Sequence, residues 1–330
     1  MKVKSVINAI VKYLLPILLS SFLFYYLCTM IDFTEMWQQI GRCNFWWIGV
    51  ALCVSVFSHV FRAMRWRIQL QALDIDTPLA PLTWSIFGTY AINLIFPRLG
   101  EVWRTGYIAQ RQRSAFSVVF GSMVADRLAD TATVLLITLA TFFIARPAFI
   151  LFADKYPQIY QGIVNMIESP WLWIAVVIII VSFWCLFVAK TQHTIIVRTR
   201  RALYDLWHGF AGVWKIHNKG KWLVLTAAIW GCYFFQNYLT FFAFSFTADL
   251  GIISALVTFV LSSISMGIPT NGGLGAWHMA VIFALGLYGV DFDSAAAFAM
   301  VVWGTQTCLL VLLGIYTFVA TTIDRKHSTD

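Results

Sequence analysis

The segment NLIFPRLGEVWR, residues 93–104, ends an apolar run at a proline and then places three charged side chains next to a glycine. Proline fixes φ and removes a backbone N–H donor, so a regular helix is not expected to run unbroken through Pro97. Arg98, Glu101 and Arg104 follow within one or two helical turns of this break. The composition of the whole chain explains why such a break matters.

The composition indicates an integral membrane protein. The 330 residues are 60% hydrophobic and 12% charged, and they include 15 tryptophans. A transmembrane helix needs ~20 mostly apolar residues, and several runs qualify. The predicted apolar segments are 13–30, 45–60, 81–96, 116–145, 171–189, 222–247, 252–290 and 294–323. The sequence therefore predicts an all-α polytopic membrane protein with a single membrane domain over residues 1–330, in which the first segment is a retained anchor.

The distribution of lysine and arginine predicts how the segment around Pro97 is placed. Cytoplasmic loops carry an excess of these residues. If residues 81–96 crossed completely, every later basic loop up to residue 221 would lie outside. If the chain instead turns at 97–100 as a re-entrant helical hairpin, then of 23 basic residues only Arg42, Arg146 and Lys155 lie outside. This arrangement also places both termini in the cytoplasm.

A second break, IPTNGGLGAWH at residues 268–278, interrupts the run 252–290. Its two arms of about 12 to 16 residues would reach only about 18 to 24 Å as helices. They predict a second hairpin, opening to the outside, although two full crossings would fit the charges equally well. The resulting order is about six full spans plus two re-entrant hairpins in two inverted halves, about 1–145 and 170–323.

Charged residues near the first break are candidates for binding. Broken helices in inverted repeats are typical of transporters, and the planar fork of arginine suits phosphate. Arg98, Arg104 and Arg127 are matched in number by Glu101, Asp126 and Asp130. The six could therefore bind a substrate or neutralise one another.

The glycines of both breaks are the second set of candidates. Glycine permits tight turns, and free backbone N–H groups at a helix start suit an anion; close helix packing is the alternative role. The complete predicted substrate-binding set is Asn93, Arg98, Gly100, Glu101, Arg104, Asp126, Arg127, Asp130, Asn271, Gly272, Gly273, Gly275 and His278. No G-x-S-x-G, H-E-x-x-H or P-loop motif occurs, so no catalytic residue, metal or cofactor is predicted.

Three motifs together carry a family resemblance: P-R-x-G-E-x-x-R at 97–104, D-R-x-x-D at 126–130 and G-G-L-G at 272–275. In this order they resemble the membrane domain of the lysylphosphatidylglycerol synthase and flippase family, over essentially the whole chain. The resemblance implies a bacterial inner (plasma) membrane protein that moves lipids or lipid-linked molecules between leaflets. His278 stands where relatives often carry an acidic residue. The soluble aminoacyltransferase domain of the synthases is not seen, so synthesis of lysyl-lipid is not expected.

The expected partners are membrane lipids with anionic phosphate headgroups, and a lipid-modifying synthase is a second candidate. The basic segment 194–222 is predicted to form an interfacial helix on anionic headgroups. No nucleic-acid module is visible, so nucleic acid is not expected as a partner.

An alternative function is that of a polyprenyl-phosphate-dependent glycosyltransferase. Such an enzyme would use acidic residues of outer loops as metal ligands or as a base. The candidates are Asp32 and Glu35 in one loop and Asp291 and Asp293 in another.

Overall fold

A computed structural model describes residues 2–147, 157–171 and 218–327, with isolated positions between 150 and 216. The regular structure over these ranges is helical. Numbered along the described chain, the helices are α1 Lys2–Met30, α2 Phe33–Gly41, α3 Phe45–Gln71, α4 Leu79–Ile95, α5 Leu99–Arg111, α6 Phe116–Ile144, α7 Pro157–Glu168, α8 Lys219–Phe241, α9 Ser245–Ala248, α10 Gly251–Ser265, α11 Ala276–Gly286 and α12 Phe292–His327.

Three of these helices, α3, α6 and α12, are long and apolar enough to cross a membrane. A fourth candidate is the pair Pro16–Met30 and Phe33–Gly41, which is bent by 89°. The chain is thus a helical membrane protein. The predicted segment 171–189 and the predicted interfacial helix 194–222 fall mostly outside the described residues, and the number of spans stays a prediction.

Helix α3 extends well beyond the predicted apolar segment 45–60. It begins after Asn44, whose side chain accepts a hydrogen bond from the backbone N–H of Trp46 at 3.1 Å, and it continues to Gln71. Helix α8 packs antiparallel along it, since Arg62 reaches Tyr233 at one level and the Asn44 N–H donates to the Ala243 carbonyl at the other end. Arg62 and Arg65, which follow residue 60, are therefore inside the helix bundle.

The first hairpin is formed by α4 and α5. Phe96 leaves the helical conformation, and Arg98 adopts a left-handed φ of 64° before α5 begins. Helix α5 then packs back on α4, and the Gly100 N–H donates to Asn93 Oδ1 at 2.9 Å. A Cβ on Gly100 would lie 2.8 Å from that oxygen and would overlap the carbonyl of Thr89. The close approach of the two helices therefore requires glycine at this position.

The second hairpin is formed by α10 and α11, joined by a 3₁₀ turn at Asn271–Gly273. Gly272, Gly273 and Gly275 all have positive φ, between 58° and 80°. A Cβ on Gly272 would lie 2.7 Å from the side chain of Leu94, and one on Gly275 would lie 2.5 Å from that of Leu23. These glycines allow the turn to adopt its conformation and to press against α4 and α1.

The tips of the two hairpins touch each other beside α12. Asn271 Nδ2 donates to the Ile95 carbonyl at 2.6 Å, and Trp303 Nε1 donates to the Gly272 carbonyl at 2.9 Å. The open end of the first hairpin lies at the end of α12, where the Tyr107 hydroxyl donates to Asp324 at 3.0 Å. The second hairpin leads directly into the start of α12 at Phe292. The hairpins thus approach from opposite ends of α12 and meet beside Trp303.

Two apolar clusters surround this meeting point. The larger one includes Leu27, Phe241 and Phe298, together with the alanine run 295–297 at the start of α12. The smaller one lies under the first hairpin and includes Trp66, Ile86 and Ile108. A group of buried charges adjoins the smaller cluster at Trp66.

Candidate functional site

Helices α3 and α6 are joined by buried ion pairs. Arg65 Nη2 lies 2.6 Å from Asp126 Oδ1 and 2.7 Å from Asp130 Oδ1. Arg62 Nη1 lies 2.5 Å from Asp130 Oδ2 and 3.3 Å from Asp126 Oδ2. Residues three or four apart share one face of a helix, which is why both arginines meet both aspartates. The Arg62, Arg65 and Asp126 side chains are at most 2% exposed.

A second pair lies at the first turn of α5. Glu101 Oε1 accepts from Arg127 Nη2 at 2.6 Å, and its other oxygen accepts from Asn93 Nδ2 at 3.0 Å. Arg127 Nη1 is 3.9 Å from Asp130, which connects this pair to the first group. The Arg127 side chain is 34% exposed and that of Glu101 is 13% exposed. This pair therefore forms the accessible edge of the charged group.

Arg104 is the least satisfied member of the group. Its side chain is fully buried, its Nη2 lies 3.6 Å from Asp126 Oδ2, and its guanidinium carbon lies 4.6 Å from the centre of the Trp66 ring. None of its three nitrogens has a hydrogen-bond partner within the described part of the chain. Buried donors are nearly always paired, because an unpaired one costs desolvation free energy. Arg104 is therefore available to an acceptor.

These residues form what we call the arginine cluster: Arg62, Arg65, Arg104 and Arg127 with Glu101, Asp126 and Asp130. Four cationic side chains face three carboxylates, so the cluster carries one excess positive charge. Charge in a buried environment is unfavourable unless it is compensated. An anion would complete the cluster.

The chain matches the family described as "Lysylphosphatidylglycerol synthase TM region" over residues 13–314. It belongs to this family. Family membership confirms the resemblance seen in the motifs and associates the protein with membrane lipids. No curated protein and no solved structure matches the chain significantly.

In this family member, the predicted binding residues fall into two places. Asn93, Glu101, Arg104, Asp126, Arg127 and Asp130 lie in or against the arginine cluster, and Gly100 lies directly beside it. Arg98 is exposed at the turn of the first hairpin and makes no ion pair with a described residue. Asn271, Gly272, Gly273 and Gly275 form the tip of the second hairpin, where they contact the first tip and α1.

His278 lies behind the second tip. It is fully buried, and its ring is 6.1 Å from that of Phe24 and 5.2 Å from that of Trp303. Neither ring nitrogen has a hydrogen-bond partner among the described residues. The contacts of His278 are aromatic, and no described ion pair connects it to the arginine cluster.

Sequence reasoning missed Arg62 and Arg65, which it placed on the cytoplasmic side after the second apolar segment. A helical signal was available: buried polar residues recur on α3 at positions 55, 58, 59, 62, 65 and 69. This spacing of three or four residues marks one face of a helix. With these two arginines added and Arg98 outside the cluster, the balance of arginines to carboxylates changes from three against three to four against three.

The acidic residues of the glycosyltransferase alternative lie at helix ends. Asp32 Oδ1 caps α2 by accepting from the Thr34 N–H at 2.8 Å, and Asp291 Oδ1 accepts from the Ser294 N–H at 2.8 Å. Asp293 Oδ1 accepts from the backbone N–H of Asp32 at 2.8 Å, and Glu35 lies in the first turn of α2. In the structure Asp32 and Asp291 thus cap helices, and Asp293 joins α12 to the break between α1 and α2.

Proposed function

We propose that this protein translocates a lipid or lipid-linked molecule between membrane leaflets and that the arginine cluster holds the phosphate of its headgroup. The observation that carries the proposal is Arg104, a buried guanidinium without a hydrogen-bond partner among the described residues, in a cluster with excess positive charge. Phosphate oxygens accept hydrogen bonds from guanidinium strongly and in matching geometry. Membership of a lipid-associated family supports the same function.

The proposed route of entry is the pair formed by Glu101 and Arg127. The neighbouring apolar side chains Val102 and Leu128 are 44% and 50% exposed, as expected for a surface that faces lipid chains. A phosphate arriving here can replace Glu101 as the partner of Arg127, because Asn93 continues to hold the other oxygen of Glu101. Arg104 lies one helical turn further along α5. Arg98, exposed at the turn, is the proposed first contact for the headgroup.

The second hairpin contributes the other side of the proposed path. Its tip closes against Ile95 and Leu94 of the first tip through Asn271 and Gly272. Helix breaks of this kind are tolerated at membrane depth where they are buried or line a cavity. Separation of the two tips is the proposed step that lets a headgroup pass, and His278 lies behind the moving turn.

Replacement of Arg104 tests the proposal. Arg104→Gln leaves three arginines against three carboxylates, and Asp126 retains its 2.6 Å contact with Arg65. The substitution therefore leaves no carboxylate of the cluster without an arginine partner. We expect the melting temperature to be unchanged or higher. The assay is exchange of nitrobenzoxadiazole-labelled phosphatidylglycerol in proteoliposomes, followed by dithionite quenching. We expect the exchange rate to fall at least about tenfold, which corresponds to the loss of ~1.4 kcal/mol or more of interaction free energy.

Arg113→Gln is the matched control. Arg113 is an exposed arginine in the turn after α5 and makes no ion pair with a described residue. This variant should exchange labelled lipid at the wild-type rate. Wild-type exchange by Arg104→Gln would remove the arginine cluster from the mechanism. A wild-type protein that exchanges neither labelled phospholipid nor a glycosylated phosphoprenol would refute the translocase function.

A further inference from the structure

The face of α3 that carries Arg62 continues as a polar stripe away from the other charges. Ser55, Ser58 and His59 lie on this face, and each is at most 2% exposed. The Ser58 hydroxyl donates to the Ser55 carbonyl at 2.6 Å. Buried polar side chains that continue for two helical turns beyond a charged site require a reason, because apolar residues would pack there at lower cost.

Two glutamines from other helices complete the far end of this stripe. Gln306 of α12 donates through Nε2 to Ser55 Oγ at 2.9 Å, and Gln236 of α8 donates through Nε2 to Gln306 Oε1 at 2.9 Å. Three helices thus bring uncharged donors and acceptors to one point. We call Ser55, Ser58, His59, Gln236 and Gln306 the headgroup slot.

His59, in the middle of the slot, has unused hydrogen-bonding capacity. Its ring centre is 4.6 Å from that of Tyr90, and neither nitrogen has a partner in the part of the chain that the structure describes. A neutral imidazole offers one donor and one acceptor. The Tyr90 hydroxyl is hydrogen-bonded to that of Tyr233 at 3.1 Å, and Tyr233 accepts from Arg62 at 3.3 Å. The slot is therefore continuous with the arginine cluster.

The dimensions of the slot limit the ligand. Ser55 and Arg62 are seven positions apart, which corresponds to about 10 Å along a helix. This length equals roughly that of a phosphate with one sugar ring or glycerol unit attached to it. Beyond Ser55 the buried face of α3 is apolar, with Ala51 and Ile48, and Ile48 joins the larger apolar cluster. The polar path therefore ends at Gln306.

The charges of the region limit the ligand further. Each carboxylate of the arginine cluster is already paired with an arginine, and the slot itself contains no acidic residue. An ammonium group in this position would face an excess positive charge without a carboxylate to pair with. Burial of such a group is strongly unfavourable.

Building on the proposed function, we infer that the substrate is a phosphodiester lipid with an uncharged polyhydroxyl headgroup, a polyol or a sugar. The phosphate contacts Arg104 and Arg62, and the hydroxyl groups bind His59 and Gln306. The glutamine and serine side chains bond to each other in the structure, and a hydroxyl group can replace either partner. A buried polar site discriminates strongly against a ligand that cannot make these hydrogen bonds.

Four fluorescent lipids, three with the same labelled acyl chain and one with a labelled prenyl chain, test the inference in proteoliposomes. Phosphatidylglycerol carries hydroxyl groups, phosphatidylmethanol has the phosphodiester without them, lysyl-phosphatidylglycerol adds ammonium groups, and a glucosyl phosphoprenol carries a sugar. We expect phosphatidylglycerol or the glucosyl lipid to exchange at least about tenfold faster than the other two, a difference of ~1.4 kcal/mol or more. The faster of these two identifies the headgroup as a polyol or a sugar.

The variants Gln306→Leu and His59→Phe test whether the headgroup slot causes the preference for a hydroxyl-bearing lipid. Both should slow the preferred lipid toward the rate of phosphatidylmethanol and leave phosphatidylmethanol itself unchanged, with melting temperatures recorded for each variant. Gln38→Leu, at an exposed position of α2, is the control and should behave as wild type.

Two results would overturn the inference while the proposed function stands. One is exchange of lysyl-phosphatidylglycerol by the wild type as fast as the faster of phosphatidylglycerol and the glucosyl lipid. The other is equal slowing of that preferred lipid and of phosphatidylmethanol by both slot variants, which would make the slot a structural element. Absence of exchange for all four lipids by the wild type would instead refute translocation itself.

Discussion

Asp126 lies within ion-pair distance of three arginines, Arg62, Arg65 and Arg104, and its side chain is fully buried. Buried charges stabilise a protein only as complete sets, because removal of one partner leaves the others desolvated and uncompensated. Arg104 differs from Asp126 in this respect, since its removal leaves every acid paired. Neighbouring residues of the same cluster should therefore respond to substitution in opposite ways.

Substitution of Asp126 tests this difference at the residue scale. Asp126→Asn should destabilise the protein by about 3–5 kcal/mol, because Arg62, Arg65 and Arg104 lose their shared counter-charge. The measurement is the melting temperature in detergent. Asp76→Asn is the control, because Asp76 also pairs with an arginine of α3, Arg67, but on the exposed surface at 3.4 Å. Equal melting temperatures for the two variants would contradict the assigned burial of the cluster.

At the scale of elements, the first hairpin depends on how closely α5 approaches α4. Gly100 lies against the Thr89 carbonyl and Asn93. At Gly106, further along α5, no described atom outside the neighbouring backbone of the helix lies within 4 Å of the position of a Cβ. The two glycines of one helix thus have different roles. Gly100 permits the contact between helices, and Gly106 has no such packing constraint.

A pair of alanine variants distinguishes these roles. Gly100→Ala should lower stability by about 1–3 kcal/mol through overpacking, and it should also slow lipid exchange because it displaces Glu101. Gly106→Ala should raise stability by up to about 1 kcal/mol, because alanine favours helix. Thermal unfolding of the purified variants measures both effects. A stable, active Gly100→Ala variant would show that the helices are further apart than described.

The contact between the two hairpin tips is also a property of elements. In a background without native cysteines, Ile95→Cys combined with Asn271→Cys should form a disulfide under mild oxidation, because the side chain of Asn271 reaches the carbonyl of Ile95. Mass spectrometry of the linked peptides detects the bond. The cross-link should block lipid exchange, and reduction should restore it. Thr105→Cys with Asn271→Cys should stay unlinked, since Thr105 lies deeper along α5.

At the scale of the whole molecule, the hairpins approach from opposite ends of α12 and their tips meet beside Trp303. The charge distribution predicts that the first hairpin opens to the cytoplasm and the second to the outside, and this orientation stays a prediction. The inverted halves stay a prediction, because much of residues 148–217 lies outside the described part of the chain.

Cysteine labelling in intact cells tests this orientation. Arg113→Cys, in the exposed turn after the first hairpin, should react with an impermeant maleimide only after the membrane is opened. Asp249→Cys, exposed before the second hairpin, should react in intact cells. Labelling of Arg113→Cys from outside would mean that the first hairpin crosses the membrane completely.

The sequence by itself determined the membrane class, the family, the two helix breaks and five charged members of the arginine cluster. Apolar run length, proline and glycine are local signals that act within a few residues, and Glu101, Arg104, Asp126, Arg127 and Asp130 lie beside such signals. These local signals do not specify the substrate or the number of spans.

Only the tertiary structure decided which charges meet. Arg62 and Arg65 follow an apolar run and looked like loop residues, but α3 continues and α6 packs against it, so both arginines become buried. The contact of Asn271 with Ile95 joins segments 176 residues apart. The same is true of the link between Gln306 and Ser55, 251 residues apart, which closes the headgroup slot. The pairing of buried polar groups depends on which helices pack together, and that choice is made by the burial of the whole set of apolar faces rather than by any one segment.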